Sequence, residues 1–399
     1  MIDKVKTRLT GLYISNYKNL KDCHFDVGDI SVLVGSNNSG KSNFFEIFSI
    51  LNKLFHRGEE GEKEIAQLIF STNREHIPTK PLVIKIFFST EKNGQPINVT
   101  YHLELSLQKD NKDKLAINHE ELFFKQPDVP GPSVTIFKKE EERLKIRDKV
   151  GDSKLKSFKI PLNSISFELI RLIITDEETI KNEYLPLLFI RKLARTPLFK
   201  AHDLNFSYKA AIREKLQPLY ELQEKKDANL LKFKASFIRI LNLDDINFGK
   251  LTYPEKENEI YYYCLIKERG IDEPRFIYDL SDGSRLLFLM LYELFISNFG
   301  QVVIDEPEIG LHPNALASLL DTMKKDVERK QVLIATHSPF LLNLVDFSCV
   351  TVAEKVAGGM VSFKPASKIN NIKKRLRGKY IDFGDLFADN FNTEIDTSL

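Results

Sequence analysis

The sequence predicts an α/β fold in which a parallel sheet is accompanied by an antiparallel β subdomain and an inserted helical region. Three observations predict it. The apolar run Ile30–Val34 leads through a glycine-flanked turn, Gly35–Ser42, into a helical pattern. Period-2 stretches and then helical spacing fill the middle of the chain, at residues 82–147 and 163–243. From Gly283 to Ala335 helix-like and strand-like segments alternate. Alternating β and α units imply a parallel sheet with covering helices, whereas period-2 runs bounded by turns imply antiparallel pairs. The expected division is an N-terminal lobe with antiparallel strands at 1–162, a helical insert at 163–245 and a C-terminal lobe at 246–399.

Taken in order, Leu12–Tyr17 and Phe25–Val27 read as strands, and Ile30–Val34 as a third. From Lys41 onward Phe44, Phe45, Phe48, Leu51 and Leu54 repeat at helical spacing. Val83–Phe87 and Val99–Leu107 alternate as strands, and the mixed-charge run Lys138–Lys159 predicts a solvated hairpin or mobile loop. Tyr184–Leu193 and Leu230–Leu241 carry helical spacing, and strands return at Ile246–Leu251 and Ile260–Lys267. The last third predicts a helix over Gly283–Asn298, a strand over Gln301–Ile304, a helix over Asn314–Glu328 and a strand over Gln331–Ala335. No internal repeat and no heptad array long enough for a coiled coil is present.

Bulk properties exclude several classes. The chain has 399 residues, enough for one large or two ordinary domains, and 42% of them are hydrophobic, enough for a real core. A formal net charge of +2 argues neither for nor against nucleic acid, so a local patch is what would matter. One basic cluster is present, Lys364, Lys368, Lys373, Lys374, Arg375, Arg377 and Lys379, with no acidic residue inside it. It is either solvated surface or a salt-sensitive contact to DNA or RNA phosphates. The three cysteines, Cys23, Cys264 and Cys349, are far apart and imply reduced thiols in a cytoplasmic protein. No apolar leader follows Met1, and the greasiest stretch, Leu286–Ile296, is too short to span a bilayer. No membrane role is expected.

The chemistry lies in four segments. In Gly35-Ser36-Asn37-Asn38-Ser39-Gly40-Lys41-Ser42 the two glycines permit torsions that aim successive N–H groups at one anion. Lys41 suits the β- and γ-phosphates of ATP, Ser42 suits Mg²⁺, and the helix beginning with Lys41, Ser42 and Asn43 adds its positive end. In Val302-Val-Ile-Asp305-Glu306-Pro307, Asp305 at a strand end can hold Mg²⁺ through its water shell. Glu306 suits the general base that orients an attacking water. His337 follows the apolar strand Val332–Ala335, where an imidazole can contact the γ-phosphate and help seat that water. Lys41, Glu306 and His337 are thus the expected catalytic set. In Leu280-Ser281-Asp282-Gly283-Ser284, the Ser281 hydroxyl and the Gly283 amide precede a long helix and could bind an anion. Ser-Asp before a helix is equally the ordinary N-cap pattern.

Five stretches, Ile14–Lys18, Gly35–Ser42, Leu280–Arg285, Ile304–Pro313 and Thr336–Pro339, resemble the ABC-type ATPase heads of the RecF, SMC and OLD group. The likeness is greatest to small stand-alone prokaryotic members, and Glu308–Pro313 is particularly characteristic. It covers both ends of the chain; residues 60–245 match nothing recognisable. The resemblance implies an ABC-type head that dimerises around two ATP molecules. Each would lie on the Gly35–Ser42 loop of one copy and be closed by Ser281 and Gly283 of the other. The group's usual first signature glycine is Asp282 here, an acid that must point away from the phosphates. By position, Gln67 resembles the glutamine that senses Mg²⁺, and Lys18 a basic residue that approaches the nucleotide.

The resemblance further implies anti-phage defence of the Septu, retron or PARIS kind, with head closure switching a separate nuclease or toxin subunit or gripping nucleic acid. The residues from Ser338 to Leu399 are too few for the Toprim nuclease of OLD proteins, and no HNH or zinc-ligand spacing occurs. A RecF-like repair clamp and an ATP-binding scaffold that cages an effector are the alternatives. A transporter subunit fits least well.

Overall fold

The computed structural model describes residues 7–56, 58–71, 80–92, 95–108, 114–125, 132–147, 155–166, 170, 185–200, 207–252, 260–326, 330–369 and 384. The chain forms two compact units, Met1–Thr196 with Ser348–Asn370, and Pro197–Phe347 with Asn371–Leu399.

The first unit begins with β1 (Arg8–Ser15), β2 (Cys23–Asp26) and β3 (Ile30–Val34), then α1 (Lys41–His56) and α2 (Gly58–Ser71). A run of strands follows: β4 (Leu82–Lys92), β5 (Gln95–Leu107), β6 (Leu115–Lys125), β7 (Val134–Glu140), β8 (Arg143–Ile146) and β9 (Lys156–Lys159). Helix α3 (Leu185–Leu193) comes next, and β16 (Val350–Lys355) and β17 (Val361–Pro365) return near the end of the chain. An antiparallel sheet has the order β2-β1-β4-β5-β6-β7-β8-β9. Strand β3 pairs in parallel with β16, which pairs antiparallel with β17. Phe25, Phe44, Phe45 and Phe48 are fully buried, and Phe44 meets Phe363 of β17 edge-on at 4.8 Å. This aromatic core seats α1, and therefore fixes where its first turn begins.

The run Lys138–Lys159 begins with a hairpin, β7 paired antiparallel with β8, but its described residues are not solvated throughout, which corrects that part of the expectation. It supplies the end of β7, then β8 and β9, and Lys139 is completely buried. Strand alternation explains this, since Lys138 faces outward with Glu140 at 2.7 Å while Lys139 points to the opposite face. There its ammonium donates to the carbonyls of Leu162 and Ser164, both at 2.7 Å. Opposite it on β6, buried Glu120 accepts from the Tyr101 hydroxyl at 2.9 Å and the Ser166 amide at 2.8 Å. Burial pulls Lys139 down to about 8 and pushes Glu120 up.

The second unit contains β10 (Leu198–Lys200), α4 (Tyr208–Glu224), α5 (Ala228–Leu241), β11 (Leu243–Thr252), β12 (Ile260–Glu268) and β13 (Arg275–Phe276). It continues with α6 (Asp282–Phe295), β14 (Gln301–Asp305), α7 (Pro307–Gly310), α8 (Pro313–Asp326), β15 (Gln331–Thr336) and α9 (Pro339–Leu344). Strands β10, β14 and β15 run parallel, from Gln301 opposite Gln331 to Asp305 opposite Ala335. Strand β10 lies inside the segment read as helical. Three residues carry no periodicity, and it is the pairing with β14 that makes them a strand. Asp227 caps α5 by accepting from the amides of Asn229 and Leu230, and Asn242 closes it at φ +54°. Every residue of α6 from Leu286 to Phe295 is buried, with Phe288 edge-on to Phe233 and Phe237. The greasiest stretch is therefore a core helix.

Among the described residues no helix is long and apolar enough to cross a membrane. The cysteines are free, Cys23 and Cys264 buried and Cys349 half-buried. Of the basic cluster, Lys364 pairs with Glu354 at 2.9 Å. Lys373, Lys374, Arg375, Arg377 and Lys379 lie outside the described residues.

Replacing Lys139 by Met strips two carbonyls of their donor and Glu120 of its countercharge. We expect a loss of about 3–5 kcal/mol in denaturant unfolding. With Lys139 lowered to about 8 from 10.5, the unfolded chain binds more protons between those values. Stability of the wild type relative to Lys139→Met should therefore rise as pH climbs through that window.

Candidate functional site

In the first unit, the turn between β3 and α1 is built to face an anion. Asn38 and Gly40 adopt left-handed backbone, at φ +63° and +80°, which turns neighbouring amides toward a common point. Gly40 must be glycine, because a Cβ there would also lie 2.8 Å from Leu20 Cδ2. Ser36, Asn37 and Asn38 form the accessible crown of the loop, Gly35 and Ser39 its buried base, and Ser42 and Asn43 are half-buried on the first turn of α1. The helix ladder starts at once, with the Phe44 amide donating to Gly40 O at 2.9 Å.

Lys41 is 4% exposed and donates to the loop's own carbonyls, Gly35 O at 2.9 Å and Ser36 O at 3.0 Å. The Ser39 hydroxyl is buried without a hydrogen-bond partner among the described residues. Amides, an ammonium and a spare hydroxyl on a helix start form a donor set that suits the phosphates of ATP, and the Ser42 hydroxyl suits a hard cation such as Mg²⁺. The residues present fit the ligand.

Asn19, which the sequence offered no reason to select, holds this loop in shape. Its amide donates to Asn38 O at 3.3 Å, and its Oδ1 accepts from Asn43 at 3.0 Å. Lys18, at φ +52°, pairs through Nζ with Glu46 of α1 at 2.6 Å, one turn beyond Ser42. Gln67 is exposed on α2.

In the second unit, β14 and β15 end side by side. Asp305 is completely buried at the end of β14. The next residue, Glu306, sits at φ +54°, ψ +56°, and its amide donates to Ala335 O at 2.9 Å. A left-handed glutamate is uncommon, and such backbone concentrates at functional sites. His337 leaves the end of β15 with Nδ1 3.3 Å from Glu306 Oε1 and 3.4 Å from Glu308 Oε1. Glu306 and His337, singled out separately from sequence, are thus brought into contact.

Glu308 is the residue that sequence reasoning quoted but gave no role. Its Oε1 accepts from the Thr336 hydroxyl at 2.5 Å and from the His337 amide at 3.0 Å. The carboxylate so ties the turn after β14 to the end of β15. Its sequence signal was present in the Glu308–Pro313 stretch, but only the fold shows what the side chain grips.

Ser281 is the N-cap of α6, accepting from the Ser284 amide at 3.3 Å, and it remains exposed. The capping pattern is real, and it leaves the hydroxyl on the surface beside a cleft of about 390 Å³ that Arg269 and Arg275 also line. Asp282 is drawn aside by Arg285 at 2.8 Å. Gly283 abuts Gly310, where an added Cβ would stand 2.2 Å from the carbonyl oxygen. No other residue fits.

A protein family described as "AAA domain, putative AbiEii toxin, Type IV TA system" matches residues 30–343. The chain belongs to this family. Solved structures give this AAA-domain chain the fold of an SMC head. One is an SMC head bound to the C-winged helix domain of ScpA, with TM-score 0.53 and 14% identity over 92% of this chain and 99% of that one. Another is an SMC head with an extended coiled coil, bound to the C-terminal domain of ScpA derived from Pyrococcus furiosus. It gives TM-score 0.51 and 12% identity over 93% of this chain and 100% of that one. A third, the SMC head domain from Thermotoga maritima, gives TM-score 0.45 and 16% identity over 90% and 98%. No curated protein matches the chain. The AAA-domain chain therefore has the fold of an SMC head.

Removing the Glu308 carboxylate leaves the Thr336 hydroxyl and the His337 amide without their acceptor. Glu308→Ala should cost about 1–3 kcal/mol, and Glu308→Gln, which keeps an acceptor at Oε1, should cost less, as read by thermal melts of both variants.

Proposed function

We propose that this AAA-domain protein hydrolyses ATP and uses ATP-dependent dimerisation of its heads to control a separate effector subunit or a nucleic acid, in prokaryotic anti-phage defence. The observation that supports hydrolysis best is the meeting of Glu306 and His337 beside Asp305, with Glu306 held in left-handed backbone. Glu306 accepts the proton of the attacking water and orients it. Nδ1 of His337 stands 3.3 Å from Glu306 Oε1, so a protonated ring pairs with the carboxylate that seats the water. In the P-loop, Lys41 and the amides from Ser36 to Asn43 hold the phosphates. Ser42 of the first unit and Asp305 of the second would each offer the hard oxygen ligands that Mg²⁺ prefers, and that ion would supply neutralisation of phosphate charge.

Exposure of Ser281 supports closure by a second copy, since a hydroxyl at a helix start on the surface can meet another molecule's γ-phosphate. Arg285 pairs with Asp282 at 2.8 Å, which offsets the charge of the acid that stands where a glycine is usual. The defence setting draws support from the family description, which names a toxin and a toxin–antitoxin system. An effector subunit should co-purify with the protein, and its identity as nuclease or toxin would establish the output.

Glu306→Gln should lower ATP turnover by about 10²-fold or more and accumulate an ATP-bound dimer in size-exclusion chromatography. Normal turnover by this variant would refute Glu306 as the base. Adding Ser281→Arg to Glu306→Gln should return the protein to monomers with ATP still bound; a persisting dimer would refute closure in trans. Reversing Lys373, Lys374, Arg375 and Arg377 should weaken salt-sensitive DNA or RNA binding, and unchanged binding removes the nucleic-acid contact.

A further inference from the structure

We infer that His102, His119 and Glu121 hold a divalent transition ion, Zn²⁺ foremost, on the half-exposed face of the antiparallel sheet. Their ligand atoms all lie within 4.8 Å of one another. The strand register builds the cluster. On β5 and β6, His102 stands opposite Glu121 and Glu104 opposite His119, so two imidazoles and two carboxylates alternate on one face. His119 Nε2 is 3.3 Å from Glu121 Oε2, and His102 Nε2 is 3.0 Å from Glu104 Oε1. A tetrahedral ion with bonds of about 2.0–2.1 Å needs donors about 3.3–3.4 Å apart. Closing the cluster onto one ion therefore asks for small side-chain adjustments, with Glu104 available as the fourth ligand.

The surroundings suit a metal in two further ways. His102 Nε2 is buried and lacks a well-formed hydrogen bond, and its ring stands 4.7 Å from that of His119. Thr135 donates to Glu121 Oε1 at 3.2 Å, which leaves Oε2 directed toward His119, the outer-shell support that ligating carboxylates usually have.

Two cations face the cluster, and both have partners. Lys85, opposite His102 on β4, lies over the Tyr13 ring at 5.4 Å, and Lys138, opposite Glu121 on β7, pairs with Glu140. Two imidazole nitrogens select zinc or a neighbouring transition ion, whereas the oxygen donors of Ser42 and Asp305 select magnesium. The site would thus staple β5 to β6 independently of ATP.

The nucleotide-free protein is dialysed against Zn²⁺ and, separately, Co²⁺. We expect about one ion per chain, visible absorption bands of four-coordinate Co²⁺, and zinc-induced shifts of the His102 and His119 ring signals in NMR. His102→Gln/His119→Gln should weaken zinc binding at least tenfold while ATP turnover stays at the wild-type level. Glu121→Gln should weaken it with both rings kept. Wild-type protein that takes up no zinc, or whose two ring signals do not move, overturns the inference, as does undiminished binding by the double variant.

Discussion

One constraint organises the candidate site of the second unit: the parallel pairing of β14 and β15 must end with Glu306 turned into left-handed backbone. Register carries the two strands to Asp305 opposite Ala335, and the Glu306 amide then bonds Ala335 O instead of continuing the strand. A non-glycine residue in this conformation costs about 1–2 kcal/mol. The cost is offset locally, because Pro307 presets the helical turn of α7 and Glu308 accepts two hydrogen bonds from the end of β15. Without the turn, Glu306 would follow the pleat away from His337, and the proposed hydrolytic pair would not meet.

Much of this was legible in the sequence, and the reason is local. The loop Gly35–Ser42, the carboxylates after Val302–Ile304 and the histidine after Val332–Ala335 each follow an apolar strand, so short motifs and periodicity find them. What periodicity cannot show is contact between motifs. The grip of Glu308 on Thr336 and His337 spans 28 and 29 residues, and Asn19 reaches the P-loop from 19 and 24 residues away. Strand β10 failed to register because three residues hold no pattern and only β14 defines them. Lys139 misled for another reason: a charge-rich run reads as solvent-facing, yet alternate residues of any strand turn inward, and this one found carbonyls and Glu120.

That alternation makes β5, β6 and β7 carry two polar systems back to back. Tyr101, Glu120 and Lys139 face the interior, where each buried group has a partner, as desolvation demands. His102, Glu121 and Lys138, each adjacent in sequence to one of those three, face the other way. A one-residue slip of register would expose the buried set and bury the histidine cluster, so both systems specify the same pairing. The histidine cluster escapes motif reading because 16 residues separate His102 from His119, and it is cross-strand register that unites them.

The contact between Gly283 and Gly310 has the most consequence for a switch. It joins the first turn of α6, where Ser281 is exposed, to the end of α7, which begins immediately after Glu306. Backbone meets backbone there with no side chain to yield, so the two turns must shift together or not at all. The middle of α6 packs into the aromatic core through Phe288, edge-on to Phe233 and Phe237. Under the proposed closure, a load placed on Ser281 by a second copy would reach the turn that holds Glu306 and, through Glu308, His337. Closure and alignment of the proposed hydrolytic pair would then be coupled through this one backbone contact.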